Sequence, residues 1–462
     1  MPPFDDDQVM LCLAGLTYRG FSEGTVGRFH VDLGRRAIAQ GLKTLPPLAG
    51  KWELVWGPAS YRAPLSLLDD ELMYVARSLE VRDRYVVAIR GTNPISGFDW
   101  VYGDLWTSRQ VPWEYDETGE SKISLSAALG LNILKGLRSG GPPNDSPASL
   151  LGAIEDWLNV VGRATGNLVD QIASRIMPSI ASLRHDMSGV IGELVAHRAA
   201  QQADDANAHI AAVMALWTSP ARAKLLDLID KAAAKTDGRL DLAVLGLLES
   251  ESRLRASLGG GIDLRGFLGA AVNAAGGNDV EVVVTGHSKG GGLASTVALW
   301  LAETQGGAVP EAERWDPDDR ATIHCYSYAG PTAGNAAFAE RSNERIGANC
   351  HRIMNKLDIV PHAWAVGDLG LIAKLYKADV VAPLPAMSDL SETIVSLTRS
   401  LDYTQVGNIV RELDGKLDPD QPLFFHQMVH QHMDAYLEEL KLTADAKITT
   451  ATFFDPLATL PR

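Results

Sequence analysis

The sequence predicts an α/β fold with a mostly parallel central sheet and a large inserted helical subdomain. Three observations carry this. Short apolar runs bounded by turn residues read as strands both early and late in the chain. Helical patterns separate the later runs, the alternation that covers a parallel sheet on both faces. Between the two strand-bearing regions lies a stretch of nearly pure helical periodicity.

Taken in order, residues 52–56, 72–76 and 85–89 are apolar and aromatic runs of strand length. Residues 123–137 carry a helical pattern, and Gly140-Gly141-Pro142-Pro143 breaks it. From Ser149 onward, Leu150, Ile154, Trp157, Leu158, Val161, Leu168, Ile172 and Ile176 recur at helical steps. Further helical segments follow until Gly259-Gly260-Gly261. Strands then resume at 281–284, 321–328 and 351–354. The expected division has the first portion of the core over residues 1–140 and an inserted helical cap or lid candidate over 141–260. The remaining core, over 261–462, carries the serine, the acid and the histidine described below. There is no internal repeat and no low-complexity tract.

The chain of 462 residues is long for one domain, yet a single elaborated α/β domain reaches this size. A net charge of −15 argues against nucleic acid and against electrostatic adsorption to anionic membranes. Transient contact with a lipid interface through apolar surface stays open. Cys12, Cys325 and Cys350 are too few and too widely spaced for a disulfide framework, and suit buried thiols in a reducing compartment. The start Met1-Pro2-Pro3-Phe4-Asp5-Asp6-Asp7 is acidic where a signal peptide is basic, and no stretch approaches transmembrane length. A cytoplasmic location is the expectation, with a removed leader or a non-standard export route as alternatives.

The most informative segment is Glu281-Val282-Val283-Val284-Thr285-Gly286-His287-Ser288-Lys289-Gly290-Gly291-Gly292. An apolar strand runs into Gly-x-Ser-x-Gly and then into a helical pattern, the context of a nucleophile elbow. Gly286 and Gly290 are the small residues such a bend demands two positions either side of Ser288, with His287 between. The turn places the hydroxyl at a helix N-terminus, where amide dipoles favour developing negative charge. A phosphate loop would carry more glycines before the serine and a Lys-Ser/Thr pair in that order. Here Lys289 follows the serine.

A catalytic serine needs a base, and the base an orienting carboxylate. Asp358 follows the strand 351–354 in Asn355-Lys356-Leu357-Asp358-Ile359-Val360-Pro361, although an aspartate there is also a common turn former. His426, His430 and His432 are candidate bases, and spacing does not choose among them. Oxyanion donors are expected from the backbone N–H of Lys289 and from Thr92, in Arg90-Gly91-Thr92-Asn93. That last segment also reads as a plain turn.

Together these residues resemble the class 3 lipase family, typified by filamentous-fungal triacylglycerol lipases. Tyr85 to Thr92 resembles its strand ending in Arg-Gly-Thr, and Asp99-Trp100 with Asp104-Leu105 the segment after it. Thr285 to Gly291 matches its Gly-His-Ser-x-Gly-Gly elbow. Tyr328-Ala329-Gly330-Pro331-Thr332-Ala333-Gly334-Asn335 with Phe338 is similar to its Gly-x-Pro-x-x-Gly-Asn block. Arg352 to Pro361 resembles the stretch that carries the acid. His432-Met433-Asp434-Ala435-Tyr436-Leu437 resembles a His-x-x-x-Tyr-Leu ending, which selects His432.

The resemblance implies an α/β-hydrolase fold, a Ser288–Asp358–His432 triad, and an oxyanion hole at Thr92 and Lys289. It implies hydrolysis of acyl-glycerol or other long-chain carboxylic esters without metal or organic cofactor. Phospholipase A1 and short-chain esterase are the alternatives within the class. A catalytically silent binding protein is the alternative outside it. In compact members the lid follows Arg-Gly-Thr, so Phe98, Trp100, Tyr102 and Trp106 are lid or substrate candidates. Two features depart from the pattern. Lys289 stands where leucine is common, and its charge is expected either to favour anionic substrates or to sit solvated beside the elbow. The helical insertion is expected to form a second cap, or else a side bundle or oligomer interface.

Overall fold

Seven strands assemble into one sheet whose order follows the chain. They are β1 (Trp52–Tyr61), β2 (Glu71–Ser78), β3 (Arg84–Ile89), β4 (Val280–His287), β5 (Ala321–Tyr328), β6 (Cys350–Asn355) and β7 (Ile409–Leu413). The computed structural model describes residues 3–19, 28–61, 71–91, 109–140, 261–306, 309–372, 374–376, 380–381 and 398–454. The chain divides into two units. The one formed by 1–63, 67–143 and 247–462 contains every described residue; 64–66 and 144–246 lie outside them, and with them the predicted helical insertion.

β1, β2 and β3 pair antiparallel, and from β3 onward every pairing is parallel. Parallel neighbours require a crossover, which is why sequence separations become long where the parallel pairing begins. β4 lies between β3 and β5, and Val282, Val283 and Val284 are fully buried. A strand covered on both faces has no need to alternate, so it reads as an unbroken apolar run.

Helix α1 (Asp6–Gly15) packs on the sheet, with Val283 among the core residues around it. Thr285 Oγ1 donates to the Met10 carbonyl at 3.3 Å. Asp5 caps α1 by a reciprocal box with Gln8. Periodicity does not reveal this helix: from Val9 to Gly15 it is buried all round, so it lacks an amphipathic stripe. Helix α2 (Arg28–Thr44) and edge strand β7 are likewise additions to the expected elements; Ile409, Val410, Arg411 and Glu412 are all exposed, leaving no apolar alternation to detect.

The predicted helix at 123–137 requires a correction. Ile123 belongs to a short strand, Lys122–Ser124, and helix α3 (Leu125–Gly136) begins only after Ser124, whose hydroxyl accepts from the Ala127 N–H at 3.0 Å. The N-cap rather than the apolar periodicity sets the boundary.

Candidate active site

Ser288 occupies the single-residue bend between β4 and helix α4 (Lys289–Glu303), with φ 62° and ψ −133°. A non-glycine residue in this region is strained, and the surroundings must hold it there. Its N–H donates to the Tyr328 carbonyl at 2.9 Å, and its carbonyl accepts from Gly291 N–H at 2.8 Å. The flanking glycines are required by close approach. A Cβ on Gly286 would lie 2.2 Å from the Gly290 carbonyl oxygen, and one on Gly290 would lie 2.5 Å from that of Ile89. Ser288 itself stays partly exposed.

Asp358 sits in the turn after β6, fully buried. Its Oδ1 accepts from the Val360 N–H at 3.0 Å. Its Oδ2 lies 2.8 Å from His432 Nδ1 and accepts from the Tyr436 hydroxyl at 3.0 Å. A carboxylate only accepts, so the proton of the His432 bond belongs to Nδ1, and Nε2 is the ring nitrogen left to serve the serine. Of the three clustered histidines, His432 meets Asp358, whereas His430 lies 4.0 Å from Asp434.

His432 ends helix α5 (Phe424–His432), which is tied to the end of β6. Asn355 Nδ2 donates to the Gln431 carbonyl and to Gln431 Oε1, at 2.9 and 2.8 Å, and the Asn355 N–H donates to the Tyr436 hydroxyl at 3.0 Å. Acid and histidine are thus braced by Asn355, Gln431 and Tyr436. Asn355 and Tyr436 fall within the motifs quoted above, but the motifs alone assign neither a role. A buried polar residue beside the acid is the only signal that would single them out.

The elbow meets this pair through His287, whose ring centroid is 4.7 Å from that of His432. His287 is buried, and burial, with a smaller contribution from His432, pushes its pKa down to about 3. Among the described residues no hydrogen bond joins the Ser288 hydroxyl to the His432 ring. Bonds between a nucleophile and its base often tighten only around a seated substrate.

Lys289 opens helix α4, at a position where a helix amide has no intrahelical acceptor. Its side chain corrects the expectation of a solvated cation. The ammonium is buried, 3.0 Å from Glu71 Oε1 at the start of β2, itself buried. Thr92 lies outside the described residues, as do Phe98, Trp100, Tyr102 and Trp106. The segment leading to Thr92 is described as far as Gly91, where an added Cβ would lie 3.0 Å from Ser288 Cβ. That strand end therefore abuts the elbow. Cys12, Cys325 and Cys350 are buried free thiols.

A partly exposed hydroxyl on a strained bend, near an imidazole oriented by a buried carboxylate, is suited to nucleophilic acyl transfer. Among the described residues there is no cluster of three or more side chains fit to hold a metal, and no helix is long and apolar enough to cross a membrane.

Residues 268–367 match the class 3 lipase family, a segment that includes Ser288 and Asp358 but ends before His432. Two curated relatives are similar over short stretches, both from Arabidopsis thaliana. The chain is 38% identical to phospholipase A1-Igamma3, chloroplastic, over 85 residues, and 34% identical to phospholipase A1-Igamma2, chloroplastic, over 84 residues. Each stretch covers 18% of this chain and 15% of the relative, so the aligned stretch spans a small fraction of those proteins. Among solved structures, that of M37 lipase is similar over 98% of both chains, with a TM-score of 0.61 at 24% identity. The fold is that of an α/β-hydrolase.

Proposed function

We propose that this chain is a serine carboxyl-ester hydrolase of the lipase type, cleaving acyl-glycerol or other long-chain carboxylic esters through an acyl-enzyme on Ser288. The observation that carries the reading is the 2.8 Å bond between His432 Nδ1 and the buried Asp358, set beside a strained serine elbow. In this reading His432 Nε2 takes the Ser288 proton as Oγ attacks the ester carbonyl carbon. The oxyanion collects donors from the Lys289 N–H and from Thr92. Collapse expels the alcohol, which leaves with the proton from His432. Water, deprotonated by the same imidazole, then releases the carboxylic acid and restores Ser288. Every step is proton transfer and acyl transfer, so the reading needs no cofactor.

The similarity to two phospholipase A1 sequences supports a second reading on the same machinery, in which the acyl group comes from the sn-1 position of a phospholipid. Triacylglycerol and phospholipid vesicles offered in parallel, with fatty-acid release measured, separate the two. A panel of p-nitrophenyl esters of graded chain length tests the class. Rates that climb with chain length and vanish in Ser288→Ala support a lipase, and preference for acetate or butyrate supports a short-chain esterase. Rates equal in wild type and Ser288→Ala overturn the proposal.

A further inference from the structure

The carbonyl of His432 closes helix α5, and Met433, with φ −119° and ψ −68°, breaks the chain before the next helix (Asp434–Glu439) begins. The last carbonyls of a helix lack an intrahelical donor and need one from elsewhere. His287 supplies it: its Nε2 lies 2.8 Å from the His432 carbonyl oxygen. A carbonyl can only accept, so Nε2 carries the proton and Nδ1 of the neutral ring is left with a lone pair. The Tyr18 hydroxyl lies 3.4 Å from that nitrogen and donates to it, a long and therefore weak bond. The His287 ring is further held edge-on by Tyr18 and by Tyr436, with centroids at 6.3 and 5.8 Å.

The carbonyl fixes a proton on Nε2, and burial, which holds the ring neutral, leaves Nδ1 its lone pair. The covalent placement gives the contact its consequence. His287 immediately precedes Ser288, so its Nε2–H ties the backbone of His432 to the elbow itself. Asp358 fixes the rotation of the His432 ring from the opposite side. Asn355 and Asp358, which hold Gln431 and His432, lie at and just after the end of β6, whereas the His287 bond comes from the residue next to Ser288.

We infer that His287 is a positioning residue, which sets the distance between the His432 imidazole and the Ser288 hydroxyl through its bond to the His432 carbonyl. The inference rests on Ser288 and His432 being the reacting pair. Three substitutions separate its components. His287→Leu removes the donor. His287→Asn keeps a polar amide that ends short of the carbonyl. His287→Gln carries an amide N–H that reaches the position of Nε2.

The experiment measures kcat and KM on a p-nitrophenyl ester for all three, beside wild type and Ser288→Ala, with near-ultraviolet circular dichroism as the check of folding. The expected result is a kcat lowered roughly 10- to 100-fold in His287→Leu and His287→Asn, with KM changed less than about twofold. His287→Gln recovers most of the loss. If the leucine variant does not fold, the comparison of Asn with Gln carries the test. A wild-type kcat in the folded Asn or Leu variant overturns the inference, as does a Gln variant no better than Asn. Activity surviving in Ser288→Ala instead overturns the underlying reading, so the two failures are distinguishable.

Discussion

The Tyr436 hydroxyl donates to Oδ2 of Asp358 at 3.0 Å, the same oxygen that His432 Nδ1 meets at 2.8 Å. The hydroxyl also accepts from the buried Asn355 N–H. Tyr436→Phe removes a donor from a buried carboxylate and an acceptor from a buried amide at once. The expected cost is about 1–3 kcal/mol of stability, read by urea unfolding. A several-fold fall in kcat, on the order of what a loosened orienting carboxylate costs, is expected to accompany it. An unchanged unfolding midpoint would show that neither bond matters.

The buried, neutral His287 makes stability depend on pH with a definite sign. Its folded-state pKa is about 3 against an ordinary 6.5, so between these values the unfolded chain binds the extra proton. Stability is therefore retained above about 6.5 and lost as pH falls toward 3, with a slope of at most about 1.4 kcal/mol per unit from this residue. Denaturant unfolding of wild type and His287→Gln at several pH values between these limits isolates it. The variant is expected to lose stability less steeply on acidification; parallel curves contradict a neutral His287.

The Lys289–Glu71 ion pair links the first residue of α4 to the start of β2, with both side chains buried. Removing one charge leaves its partner desolvated and facing no counter-charge at that contact. Lys289→Met or Glu71→Gln alone is expected to destabilise by about 3–5 kcal/mol, whereas the double variant recovers much of that loss. A double-mutant cycle measures the coupling, and additive losses contradict it. The same burial predicts that Lys289→Met leaves the ratio of rates on anionic and neutral esters unchanged.

Gly290 and Gly292 differ in what an added methyl group meets. At Gly290 the nearest atoms are the Ile89 and Arg90 backbone, at 2.5 and 2.7 Å; at Gly292 the nearest is the Pro331 carbonyl oxygen at 3.2 Å. Gly290→Ala must shift backbone, and is expected to cost about 1–3 kcal/mol or more and to abolish ester hydrolysis. Gly292→Ala is expected to be much milder. Equal effects of the two, by thermal unfolding and initial rate, contradict this packing.

How much of this was legible in the residues follows from their burial. The β4 run and the glycines around Ser288 were readable, because a central strand is apolar throughout and a tight bend excludes side chains. Asp358 and His432 were not separable from their neighbours by spacing, since what distinguishes them is a contact across 74 positions of chain. The resemblance to a family ending chose His432. The sequence places His287 in the elbow but not its bond to His432, and it gives Tyr436, Asn355 and Gln431 no role, for the same reason: each meets a partner that folding brings to it. The fate of the Lys289 charge was equally hidden, because Glu71 is on a strand far away in sequence.

The central claim is that one hydroxyl, on Ser288, forms the covalent intermediate. Intact-mass and peptide mass spectrometry after incubation with a fluorophosphonate ester measures this directly. The account predicts one adduct per chain, on the peptide containing Ser288, formed slowly or not at all in His432→Ala and absent in Ser288→Ala. An adduct on another residue, or none on an enzyme that hydrolyses esters, would contradict it.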